Sequence, residues 1–165
     1  MGQGLLAGVI VACAVACGGS DERAIRSQMS AIAESLSVPE NDGELGRIAR
    51  IAALRNVLAP DIEVSTGASS RPGAEVPPEI VGRDAVLALA GRWVPPAGGV
   101  TIEFVDVQVT LDASRATAQV YCTARISSGP AERPVVDARE LTVGLSRIDG
   151  SWLIASVRPE DTLMR

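Results

Sequence analysis

Two periods divide the chain. Before Val94, apolar positions recur every three or four residues; after Gly99 they alternate with polar ones to the end. Ile25, Met29, Ile32 and Leu36 fall on one helical face, with Ser20 as N-cap and Asp21 and Glu22 in the first turn. Val38-Pro39 ends that helix. Asp42 is placed to cap a second, whose stripe is Leu45, Ile48, Ile51 or Ala52, Leu54 or Arg55, and Leu58, up to Ala59-Pro60. "DIEVST" then reads as a short strand and "GASSRPGAEVPP" as a loop, because its proline and glycine content forbids regular structure. "IVGRDAVLALAGRWV" reads as a third helix with Val86, Ala90 and Trp93 on one side, stopped by Val94-Pro95-Pro96.

The alternating part contains four strands: "VTIEFVDVQVTL", "RATAQVYCTARI", "VDARELTVGLSRI" and "SWLIASVRP". Asp149-Gly150 supplies the pair that a two-residue hairpin favours. Strands linked this closely form an antiparallel meander. One face carries Val105, Val107, Val109, Leu111, the Ala116 to Ile126 series, Leu141, Val143 and Leu145. The other carries Asp106, Gln108, Thr110, Thr117, Gln119, Tyr121, Glu140, Thr142 and Ser146. A one-sided apolar sheet needs a cover, and the three amphipathic helices upstream provide it. The expected class is α+β, with three N-terminal helices packed on a curved antiparallel sheet.

The opening residues change the picture of location. Leu5 to Cys17 is an apolar run of 13 residues, short of the about 20 that span a bilayer and in the range of a secretory h-region. Ala14-Val15-Ala16-Cys17 resembles the lipobox of bacterial lipoproteins, in which the cysteine is diacylated and becomes the mature N-terminus; Ile10-Val11-Ala12-Cys13 is the alternative. The division expected is a lipoprotein signal peptide at 1–16, a lipidated cysteine with a short Gly-Gly-Ser tether at 17–20, and one domain at 21–165. Membrane lipid is then a partner through Cys17, and the domain sits in the cell envelope, facing the periplasm or the exterior. Processing leaves Cys122 alone, which rules out an internal disulfide. Its alternating surroundings make it a buried structural thiol.

Charge and composition narrow the chemistry. Twenty acidic residues against 15 basic ones, all arginine, argue against a nucleic-acid partner. The absence of lysine and histidine removes Schiff-base chemistry, histidine general bases and imidazole metal sites. No cofactor and no metal site are expected.

The order helix, helix, short strand, helix, meander resembles the nuclear transport factor 2-like superfamily, and within it the SnoaL-like group. The resemblance spans about residues 21 to 160 and rests on Ala59-Pro60-Asp61-Ile62-Glu63-Val64, Ile80-Val81-Gly82-Arg83-Asp84-Ala85-Val86 and Arg147-Ile148-Asp149-Gly150-Ser151-Trp152-Leu153-Ile154. It implies a cone-shaped, cystatin-like fold with a pocket between sheet and helices, often as a homodimer. It implies no single function. Relatives resembling ketosteroid isomerase use a tyrosine and a carboxylate base, whereas the one tyrosine here, Tyr121, is on the polar face. Asp61 matches the aspartate that follows the second helix, and is equally a strand starter. Strand parity puts Glu103 and Arg139 on the apolar face, where they would meet at a pocket mouth that Arg92 and Trp93 also line. Two readings follow. The first is a tethered, non-catalytic module for a small apolar ligand or a partner protein. The second is a small acid–base enzyme, an isomerase, cyclase or hydrolase, with Asp61 or Glu103 as base and Arg139 as stabiliser.

Overall fold

The stripe of Ile25, Met29 and Ile32 becomes the buried face of α1 (Gly18–Leu36) in the computed structural model, which describes residues 18–66, 78–130 and 132–160. The leader with Cys13 and Cys17, and the loop at 67–77, lie outside the described residues. Gly18, Gly19 and Ser20, expected as tether and cap, form the first turn of α1. Asp21 is buried there beside Arg147, at 3.4 Å, and that guanidinium lies 5.8 Å from the centre of the Trp152 ring. The ion pair and the cation–π contact fasten the start of α1 to the last hairpin.

The second helix, α2 (Glu44–Val57), departs from its expected stripe. Leu54 and Val57 are buried, while Leu45 and Ile48 stand exposed at 83% and 57%. Leu54, from the expected stripe, and Val57 beside it enter the core cluster with Ile51 packed against it, while the N-terminal half of the stripe is left uncovered. Asp42 is not the cap either: Gly43 takes that position without a side-chain bond, and Asp42 pairs with Arg50 instead. Leu58 to Pro60 are extended, not helical, and open β1 (Leu58–Ser65). Ile80 and Val81, expected in the third helix, lie in β2 (Glu79–Val81). Gly82, at φ +91°, makes the corner into α3 (Arg83–Arg92), a conformation that glycine adopts without strain. Arg83 Nη1 donates to the carbonyls of Arg55 and Leu58, and Asp84 pairs with Arg55 at 3.0 Å, so the start of α3 clasps the end of α2.

The meander forms as its period requires, from β3 (Val100–Leu111), β4 (Thr117–Ser128), β5 (Val135–Ile148) and β6 (Ser151–Pro159), each antiparallel to the next. Asp149 and Gly150 both take positive φ in the β5–β6 turn, as a type I′ hairpin demands. The whole sheet is mixed, with strand order β2-β1-β6-β5-β4-β3. β1 lies parallel to β6, which corrects the expectation of a purely antiparallel sheet. A parallel neighbour needs a long crossover, and α3 with the first three meander strands supplies it.

A second correction concerns β3. Its register shifts between Val105 and Gln108, with Asp106 at φ +55°. This bulge reverses the parity of the strand. Ile102 and Phe104 face the core before it, and Val107, Val109 and Leu111 after it. Val105 therefore turns outward, together with Glu103.

The β3–β4 turn is organised by one carboxylate. Asp112 accepts from the backbone N–H of Ser114, Ala116 and Thr117 and from the Ser114 hydroxyl. These bonds, that from Ser114 first, hold its pKa below the ordinary 3.8. Because the folded value is the lower one, this contribution is present above the ordinary pKa and lost as pH falls through the folded value. Asp112→Ala is expected to lower the thermal midpoint near neutral pH, with the gap to wild type closing on acidification. A gap that stays constant from neutral to strongly acid pH overturns the assignment.

Candidate functional site

The sheet of six strands and the three helices leave space between them. Aromatic residues are only 2% of the chain, and it has one phenylalanine, Phe104. The remaining volume lies on the concave face as a cavity of about 300 Å³. Met29, Ile32 and Leu36 of α1 roof it, Val86 and Ala90 of α3 wall one side, and Ile62, Phe104, Ala124, Leu141 and Val143 pave its floor. Its lining is wholly apolar, without a titratable side chain among the described residues.

Leu36, Leu54, Val86, Ala90 and Ile102 also border a second chamber of about 350 Å³, nearer solvent. Ile51, Leu89 and Trp93 complete its apolar wall. Its polar members are Ser35, whose hydroxyl donates to the Ala31 carbonyl at 2.7 Å, and Arg50. Arg50 and Trp93 in turn border a third hollow of about 330 Å³ with Asp42, Glu44, Arg47 and Pro95. The side chains of Arg50 and Asp42 are only 19% and 11% exposed. The apolar space thus ends outward at a largely buried arginine side chain and a half-exposed indole.

The expected site residues are scattered by this geometry. Trp93 lines the outer chamber as expected and is 47% exposed, not core. Arg92 beside it is exposed and borders none of these spaces. Glu103 is opposite Arg125 on the outward face, because the Asp106 bulge reverses the parity used to place it inside. Arg139 has the concave parity, opposite Ala124, but its side chain is 61% exposed and pairs with Asp137 at 3.0 Å. Glu103 and Arg139 therefore lie on opposite faces and do not meet. Asp61 is exposed on β1, while its neighbour Ile62 fills the inner wall.

Tyr121 faces outward as expected, opposite Thr142, and its hydrogen bond to the Glu140 carboxylate raises its pKa. Cys122 is fully buried and free, and burial pushes its thiol up to about 11. Such a thiol is poorly suited to act as a nucleophile. Arg50 is the lining residue that sequence reasoning passes over. Its signal was its position one residue before Ile51, on the side of α2 shared with Leu54 and Val57.

Residues 48–158 match the family model of the SnoaL-like domain. No curated protein matches the chain. Among solved structures, a nuclear transport factor 2-like protein of unknown function from Pseudomonas putida is 16% identical over 87% of both chains, with a TM-score of 0.60. A nuclear transport factor 2-like protein with a cystatin-like fold from Novosphingobium aromaticivorans is 16% identical over 85% of this chain and 80% of that one, at 0.63. A protein from the same organism, described as a candidate scytalone dehydratase, is 16% identical over 87% and 86%, at 0.61.

Proposed function

The chain belongs to the SnoaL-like domain family, and from that premise we propose that it is a lipid-anchored envelope protein whose domain binds a small apolar ligand without transforming it. The observation that carries the ligand reading is the inner cavity: about 300 Å³ of space lined by apolar side chains alone. An apolar molecule entering it gains the burial that the protein's own side chains leave unfilled. The anchor reading is supported by the apolar run from Leu5 to Cys17 and its small residues before the cysteine.

Acid–base catalysis would need a carboxylate within hydrogen-bond reach of the reacting atoms. Asp61 and Glu103 are both exposed, and neither borders the inner cavity. The likeness to a candidate dehydratase is a likeness of fold, and one fold serves many functions.

Native mass spectrometry of the full chain in lipid nanodiscs tests the reading. Retention of an apolar small molecule is expected. Ala90 borders both inner chambers, so Ala90→Phe grows into open space and should abolish retention while the protein stays folded. Asp61→Asn and Glu103→Gln should leave retention unchanged. A ligand held equally well by Ala90→Phe would place its site elsewhere.

A further inference from the structure

The mouth of the cavity says more about the ligand than its floor does. Within the two apolar chambers an occupant meets no polar group until it reaches Arg50, since the Ser35 hydroxyl is already engaged by its own helix. The side of the Asp42–Arg50 pair that borders this space is the arginine: Arg50 lines the outer chamber and Asp42 does not. Asp42 engages one terminal nitrogen, Nη1, of a planar group that carries five N–H donors. The largely buried Arg50 side chain therefore borders both a hydrocarbon-lined passage and the charged hollow beyond it, with Trp93 beside it in each.

We infer that the ligand is an amphiphile with an unbranched aliphatic body and a single carboxylate head, the body filling the apolar chambers and the head resting on Arg50 beneath Trp93. This rests on the cavity reading above and names the class of molecule that fits it. An aliphatic chain matches walls without hydrogen-bonding groups. A polar end left against those walls would lose its hydration without compensation, which a charge-assisted bond to Arg50 prevents. Asp42 already demonstrates the chemistry, a carboxylate held by this guanidinium at low exposure. Glu44 and Arg47 lie in the hollow beyond, so the head meets charges of both signs outside Arg50, and Arg50 alone from within.

The test uses the full chain in lipid nanodiscs and three probes of equal tail length: decanoate, 1-decanol and decylamine. Ala90→Phe serves as the blank for uptake by the bilayer, and bound mass by native mass spectrometry reports binding. Decanoate is expected to bind roughly tenfold more tightly than decanol, the worth of a charge-assisted bond. Arg50→Gln should erase that margin and leave decanol unchanged. Asp42→Asn should tighten decanoate alone, because it removes the competing carboxylate. Should Arg50→Gln fail to fold, the wild-type ranking and Asp42→Asn decide. Equal binding of decanoate and decanol, or decylamine binding most tightly, overturns the head assignment and leaves the cavity reading standing. Uptake of none of the three overturns both.

Discussion

Ile25→Ala is expected to cost about 3–4 kcal/mol of stability, read as a fall in the urea midpoint at unchanged slope by circular dichroism. Ile25 is 0% exposed and belongs to the cluster that holds Val120, Leu145 and Trp152. It borders none of the three chambers described above, so it stands where the concave face is filled. Cutting it back opens a new void under a sheet whose ladder bonds resist collapse, and the cavity cost adds to the lost transfer energy. Against a total stability of about 5–15 kcal/mol, the loss is large. Val86→Ala supplies the contrast. Val86 already borders both inner chambers and is only partly buried, so its truncation enlarges a space that exists. Its cost should be well below that of Ile25→Ala. Equal costs would mean that the two ends of the concave face are packed alike, against the division into a filled end and a hollow one.

Cys17→Ser is expected to move the full chain from the membrane fraction to the soluble one, measured by fractionation of the expressing cells and immunoblotting. Each buried methylene of an acyl chain contributes about 0.8 kcal/mol, so two or three chains anchor firmly where none leaves the domain free. No helix among the described residues is long and apolar enough to cross a membrane and take over that role. The discriminating control is Cys13→Ser. If that variant is released and Cys17→Ser remains bound, the acylated residue is Cys13 and the mature protein begins four residues earlier.

The parts of the fold that local periodicity specifies were legible in the sequence. The α1 stripe, the four meander strands and the Asp149-Gly150 turn all form where the pattern puts them. What escaped depends on competition between local signals or on distant partners. On α2 the expected stripe runs the length of the helix, and only the placement of the neighbouring elements decides that Leu54 is buried while Leu45 and Ile48 are not. The parallel pairing of β1 with β6 joins segments separated by β2, α3 and the first three meander strands. The β3 bulge did leave a trace: apolar residues fall on even positions at Ile102 and Phe104, then on odd ones from Val105 to Leu111. Two adjacent apolar residues mark the switch, and extrapolating the later parity backward moved Glu103 to the wrong face. The cavity is a property of unfilled volume, legible only as a scarcity of aromatic side chains. Arg50 needed the three-dimensional structure, because its meaning comes from Trp93 and Asp42 beside it.

The length of α1 has a bearing on reach. Its 19 residues run about 28 Å, from a first turn fastened at Arg147 to Ser35 and Leu36 at the outer chamber. Were Cys17 acylated as proposed above, the helix would begin at the very next residue. α1 would then set the outer chamber up to one helix length away from the anchored residue.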